Sequence, residues 1–330
     1  MCFNFDKNFN IRQPFAGARE APGIMAVKVT KLHSFTGHRD AVYTLQRTDQ
    51  PNLFCTGSGD GMVVLWDLEK PDEGYPVARL PNSIYALHYH APSNSLIVGH
   101  NYEGIHVLDW RNKVELGSLQ LTRAAIFDIQ SVDNVLFVGT GDGSVVVVDV
   151  ARLTILERIR KSEKSARTID INLRSGEMAV GYSDNHIRVY DLKTLQMKHE
   201  WLAHANSVFS VRYTPDGYYL LSGSRDARLK AWDVNTGYAP VAEVVAHMYA
   251  INHLDFSPDA KHFVTCSMDK SIKVWNAEEL KLLKVIDKAR HAGHGTSVNK
   301  LLWTSYQDQL LSASDDRTVT SWNINFDTSI

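Results

Sequence analysis

GDGMVVLWD (59–67) is a turn carrying an acid, then an alternating apolar run that ends in an aromatic and a second acid. The same unit recurs at NYEGIHVLD (101–109), GDGSVVVVD (141–149), SDNHIRVYD (183–191), RDARLKAWD (225–233), MDKSIKVWN (268–276) and DDRTVTSWN (315–323), seven copies in all. The position before the closing acid or amide is Trp66, Leu108, Val148, Tyr190, Trp232, Trp275 and Trp322, at spacings of 42, 40, 42, 42, 43 and 47 residues. A period near 40 built from short strands and Gly/Asp turns is that of propeller blades rather than of helical solenoid units.

Working outward from each copy, two more strand-like runs precede it. The first is VYTL (42–45), IYAL (84–87), IFDI (126–129), ARTI (166–169), VFSV (208–211), INHL (251–254) and VNKL (298–301). The second carries small residues, as in LFCTGS (53–58) and YLLSGS (219–224), and turn sequences such as TPDG (214–217) and SPDA (257–260) join the two. A more variable fourth run follows, for example LLKVI (282–286). The last copy has only eight residues after Trp322, whereas VKVTKLHSF (27–35) stands alone before the first blade. Pairing 27–35 onto the last blade closes the ring and leaves no long open sheet edge. The expectation is an all-β, seven-bladed β-propeller occupying 25–330 as one domain. Residues 1–24 are expected to be a flexible extension, unless the chain starts at Met25; the sequence leaves both open.

Composition narrows the function. Net charge is −2 and charged residues make up 22%, so no global basic field draws the chain to nucleic acid or anionic lipid. No apolar run reaches the roughly 18–20 residues that span a bilayer, and the first residues lack a secretory pattern. Three scattered cysteines, Cys2, Cys55 and Cys266, make no disulfide framework. A cytoplasmic, reducing setting is expected.

These residues resemble the WD40 repeat family across about 300 of the 330 positions. The resemblance includes a buried polar tetrad, in which a His stands 22 residues before the turn Asp and the Asp six before the Trp. The sets are His38, Thr56, Asp60 and Trp66; His204, Ser222, Asp226 and Trp232; His247, Thr265, Asp269 and Trp275; and His294, Ser312, Asp316 and Trp322. An indole N–H needs an acceptor, a Ser/Thr hydroxyl can accept it while donating to imidazole, and the imidazole can donate to the carboxylate. Ser, His and Asp together invite a catalytic-triad reading, but a fourfold repeat in which each hydroxyl also faces a Trp is structural. Blades two, three and four depart from the set: Tyr102 and Leu108; Asp142 with Val138 and Val148; Asp184 with Tyr190 and no His. Apolar packing is expected to hold that side of the ring.

The resemblance also implies that partners dock on the top face, where the residue after the first apolar position of each opening run projects. That position reads Tyr43, Tyr85, Phe127, Arg167, Phe209, Asn252 and Asn299; the residue before the turn Asp adds Arg225 and Met268. Four aromatics and an Arg in consecutive blades fit a binding surface, since such residues dominate hot spots; sideways packing between blades is the plainer alternative. Tyr43, Tyr85, Phe127, Arg167, Phe209 and Arg225 are the candidate partner-binding residues. His88 with His90, and His291 with His294, lack a third convergent ligand, GTGDG (139–143) reads as a hairpin turn, and RIRKSEKSAR (158–167) as a solvated loop. No metal and no cofactor are expected. The expected function is a non-enzymatic interaction scaffold or complex subunit, a single propeller binding a protein or peptide. A propeller enzyme working at the channel is the alternative, with Asp128, His253 and Asp315 its only nameable acids or histidines.

Overall fold

The computed structural model describes residues 26–327, so the expectation for residues 1–24 lies outside the described residues. Seven four-stranded antiparallel sheets follow one another around a ring. Blade one is Val42–Arg47, Leu53–Ser58, Met62–Asp67 and Lys70–Arg79. Blades two to six open with Ile84–His90, Ile126–Val132, Ala166–Asn172, Val208–Tyr213 and Ile251–Phe256. Blade seven combines Val298–Trp303, Leu310–Ser314 and Val319–Asp327 with the N-terminal strand Ala26–Phe35. Phe35 pairs with Val319 and Val29 with Ile324. The inner strands of neighbouring blades lie side by side all the way round, blade seven's against blade one's. Phe35 also meets blade one, its ring 5.1 Å from Phe54 and 5.6 Å from Trp66, both edge-on. The first strand thus completes one blade and packs on the next.

The core lies between blades rather than within them, because each flat sheet offers two apolar faces to its neighbours. Between blades two and three, Ile97, Ile105, Ile126, Ile129, Val138 and Val148 form one buried cluster. Each such side chain contributes roughly 1.5–3 kcal/mol when removed from water. A glycine in the second strand makes the close approach possible. A Cβ on Gly57 would stand 2.6 Å from Ile84 of the next blade, and one on Gly223 would stand 2.6 Å from Ile251.

The four polar sets assemble as chains of hydrogen bonds. In blade five the Trp232 indole N–H donates to Ser222 (2.9 Å), the Ser222 hydroxyl to His204 Nε2 (2.8 Å), and His204 Nδ1–H to Asp226 (3.0 Å). The matching distances are 2.9, 2.7 and 3.1 Å in blade one, 2.9, 2.7 and 2.9 Å in blade six, and 2.8, 2.8 and 2.7 Å in blade seven. This order of donors requires neutral imidazoles protonated on Nδ1. Burial alone would raise the Asp226 and Asp316 carboxyls, but the histidine N–H and backbone N–H groups outweigh it and bring both down to about 2.

Blades two to four are not held by apolar packing alone, which corrects the sequence expectation. Asp142 accepts from Thr140 (2.7 Å) and Thr122 (2.9 Å). Asp184 accepts from Ser162 (2.7 Å), which stands 22 residues before it in the place of the missing His, and pairs with Arg188 (2.8 Å). Ser162 therefore gives the 158–167 segment a structural anchor. In blade four the Tyr182 and Tyr190 hydroxyls meet at 3.0 Å. The turn acid is kept where it can be and its donor changes, because the hairpin needs an acceptor more than it needs an imidazole.

Candidate functional site at the channel mouth

Every inner strand contains the same irregularity. The register slips between Val42 and Thr44, Ile84 and Ala86, Ile126 and Asp128, Ala166 and Thr168, Val208 and Ser210, Ile251 and His253, and Val298 and Lys300. The unpaired residue in each blade is Tyr43, Tyr85, Phe127, Arg167, Phe209, Asn252 or Asn299. A bulge frees one residue from the ladder and re-aims its side chain. All seven line a single cavity of about 530 Å³ at one mouth of the channel, together with Tyr102, Asp128, His253 and Lys300 among others.

Five of the six candidate partner-binding residues meet there. Tyr43 and Tyr85 pack edge to face at 4.7 Å, and Tyr85 stacks on Phe127 at 5.9 Å. The Arg167 guanidinium lies 4.1 Å from the Phe127 ring centre and 4.6 Å from that of Phe209. The rings do pack against one another across blades, yet each stays half-buried and faces the cavity. Arg225 is exposed and is not among the residues lining the cavity. Asn299 donates to Val42 O (3.0 Å) and Asp315 (2.8 Å), and Asn252 to Val298 O (2.8 Å), so these amides hold the rim.

Charge at the mouth is uneven. Among the described residues no carboxylate lies within ion-pair distance of Arg167 or Lys300. Burial holds both cations below their ordinary pKa values, and the Arg167 guanidinium stays charged. Asp128 is committed elsewhere: it accepts the backbone N–H of Ile169 in the next blade (2.8 Å) and of Ile129 (2.9 Å).

Deeper in the channel the charge is richer than the sequence reading allowed, and this corrects it. Asp170 accepts from Tyr213 N–H and Asp255 from Trp303 N–H (2.9 Å), each across a blade boundary. His253 Nδ1 accepts from Leu301 N–H (3.3 Å) in the same way. Arg212 bridges Asp170 (3.3 Å) and Asp255 (3.0 Å). These acids brace adjacent inner strands. Asp170, Arg212 and Asp255 stand at one register position of successive inner strands, 42 and 43 residues apart, but the change from acid to base and back hides the repeat in the sequence. A second cavity of about 470 Å³ opens beside them at the opposite mouth.

Other histidines singled out in the sequence are engaged singly. His88 Nε2 meets the Ser131 hydroxyl at 2.7 Å, and His90 Nε2 donates to Asp133 O at 2.7 Å. On the mouth side of blade six, Met248, Tyr249 and Met268 are exposed beside one another, their loops joined by Met268 N–H donating to Ala250 O (3.1 Å). Only Met268 had been flagged by position. Cys55 and Cys266 are buried free thiols, and burial pushes Cys55 up to about 12. Among the described residues no helix is long and apolar enough to cross a membrane.

A family model described as "WD domain, G-beta repeat" matches residues 29–67, 195–233, 238–276 and 286–323. Those stretches coincide with the four blades that carry a tetrad. Human Gem-associated protein 5 is 24% identical over 228 residues, 67% of this chain and 14% of that protein. Drosophila melanogaster Protein lethal(2)denticleless is 25% identical over 236 residues, 66% of this chain and 29% of that protein. Human Striatin-3 is 26% identical over 214 residues, 65% and 23% respectively. The matched part of this chain corresponds to less than a third of the length of each of these relatives.

Proposed function

The chain belongs to the WD40-repeat β-propellers, and on that premise we propose that it is a non-enzymatic interaction platform that seats a protein or peptide partner at the aromatic mouth of its channel. The observation that carries this reading is the convergence of seven bulge residues on one cavity, with Arg167 held between two rings and lacking an acid partner. Rigid aromatics lose little entropy on binding, and an Arg already held between rings is pre-organised. Arg167, with no acid within ion-pair distance among the described residues, favours a partner segment with a carboxylate next to an apolar side chain. The exposed Met248, Tyr249 and Met268 would extend the contact outward over blade six, and Arg225 would lie at its rim.

The non-enzymatic part of the proposal rests on the channel acids. Asp128, Asp170 and Asp255 spend lone pairs on backbone N–H groups of the next blade, which is a bracing role. One relative, Gem-associated protein 5, bears a name that speaks of association, in line with an interaction role here. Affinity purification from the native cell tests the reading, comparing the wild-type chain with a Tyr85→Ala/Phe127→Ala double variant. Selective loss of co-purifying proteins from a variant that unfolds at a near wild-type temperature is the expected result. An unchanged set of partners would show that the mouth is not the docking surface.

A further inference from the structure

We propose that blade two carries a divalent transition-metal site, best suited to Zn²⁺, formed by His100 Nδ1, Glu103 Oε2 and His106 Nε2. These three atoms form a cluster of metal-ligating type. His100 ends the second strand, Glu103 lies in the turn and His106 is in the third strand. His100 pairs with Gly104 and Val98 with His106, so both imidazoles stand diagonally on one face of the hairpin. His100 Nδ1 is 3.2 Å from His106 Nε2 and 3.1 Å from Glu103 Oε2. Around Zn²⁺ with bonds of about 2.0–2.1 Å, tetrahedral ligand atoms stand about 3.3 Å apart. The two distances from His100 Nδ1 are already close to that spacing, and all three ligand atoms lie within 4.8 Å of one another.

Groups behind the ligands suit the same purpose. His106 Nδ1–H donates to Glu115 Oε1 (3.1 Å), which fixes the tautomer that leaves Nε2 free as a ligand. Behind His100, the Asn82 side-chain amide nitrogen lies 3.4 Å from Nε2 and 3.4 Å from Asn101 O, so the ring is held from its far side. Two carboxylates, Glu103 and Glu115, stand within hydrogen-bond distance of the two imidazoles and supply negative charge for a divalent cation. His100 is buried while Glu103 is 57% exposed, so the fourth position opens to solvent and water can complete the shell. Blade two is also the blade with neither the turn Asp nor the Trp, and a metal there would tie its second and third strands as a tetrad does elsewhere.

The competing account is a plain hydrogen bond between the imidazoles. The full chain, stripped of metal by chelation and dialysed, decides between them by calorimetric titration with Zn²⁺ and by the visible spectrum of the Co²⁺-loaded protein. One equivalent of Zn²⁺ and a tetrahedral Co²⁺ spectrum are expected in the wild type, and both should vanish in His106→Gln. Glu115→Gln should keep the stoichiometry and weaken affinity by about 10–100-fold. His291→Gln, which alters the other closely spaced histidine pair, should change neither. If His106→Gln fails to fold, Glu103→Gln, on the exposed turn, replaces it and should weaken binding at least tenfold. No stoichiometric Zn²⁺ in the wild type, an equivalent that survives in a folded His106→Gln, or an undiminished affinity in Glu103→Gln would overturn the site.

Discussion

Blades one, five, six and seven share a four-stranded skeleton with blades two, three and four, yet the two groups spend their buried polar atoms differently. In the first group a Trp, a hydroxyl, a His and an Asp form one chain in which every member has a partner. In the second the turn acid takes whatever donor is near, as Asp184 takes Ser162 and Arg188, or is absent. Backbone pairing and inter-blade packing are the same in both. The tetrad is therefore one solution to hairpin satisfaction and not a condition for forming a blade. The family match follows the chemistry of the tetrad rather than the fold.

Acid should have the largest effect, and on both groups, since burial is outweighed by hydrogen-bond donors that hold Asp142 and Asp184 below the usual carboxylate range too. Asp226 and Asp316 titrate at about 2 in the folded chain against an ordinary 3.8. A depressed carboxyl contributes stability that is complete above its unfolded value and is lost as pH falls through the folded one. His247, held below its ordinary 6.5 mainly by burial, adds a loss that starts at higher pH, because the unfolded imidazole protonates first. Denaturant unfolding from pH 7 to 2 should show stability beginning to fall below about pH 6.5 and falling steeply below about pH 4. Asp226→Asn removes one of these groups and should flatten the lower limb; an unchanged limb would separate acid sensitivity from the tetrads.

His204→Ala comes next. It strips the donor from Asp226 and the acceptor from the Ser222 hydroxyl in a buried site, and a cost of about 2–4 kcal/mol is expected. Ser162→Ala removes the equivalent donor in blade four, but Arg188 still faces Asp184, so about 0.5–1.5 kcal/mol is expected. Equal losses in chemical denaturation would erase the distinction between the groups. A hydrolase-like activity lost in His204→Ala at unchanged stability would make the tetrad catalytic after all.

How far the sequence could be read depended on whether a feature repeats. The seven turn-and-strand copies recur at a near-constant period and the four tetrads at fixed internal spacing, and the closing strand shows as the one run left over, so a single chain displays them. The seven mouth residues could be named by register, but the bulge that aims them could not, because a slip in pairing leaves no mark in side-chain type. The Asp170–Arg212–Asp255 brace joins three blades, and the His100–Glu103–His106 group folds together only across a hairpin. Neither repeats in residue type. Ser162 was legible in principle, since it stands at the His spacing, but a Ser in a basic polar segment carries no signal without its partner.

Glycine substitutions should show where the two groups do not differ. Gly223→Ala in blade five and Gly99→Ala in blade two each put a methyl against the first isoleucine of the next blade, at 2.6 Å and 2.7 Å. Overpacking of this kind costs about 1–3 kcal/mol, and similar losses in thermal denaturation are expected. A much smaller cost in blade two would mean that its sector yields at the inter-blade seam as well as in its polar interior.

The smallest effect isolates what blade four has in place of a tetrad. Tyr190 occupies the Trp position, and its hydroxyl meets that of Tyr182 at 3.0 Å in a buried site. Tyr190→Phe leaves the Tyr182 hydroxyl without that partner, whereas Tyr182→Phe/Tyr190→Phe removes both polar atoms from the same volume. Deleting one partner of a buried pair costs more than deleting both, so the single change should lower stability by about 1 kcal/mol and the double change by less. That rule also explains how a blade passes from the tetrad to another interior: partners must be replaced together. If the double variant costs the sum of the two singles, the hydroxyl pair is not a unit, and blade four would be held by its apolar contacts as the sequence alone had suggested.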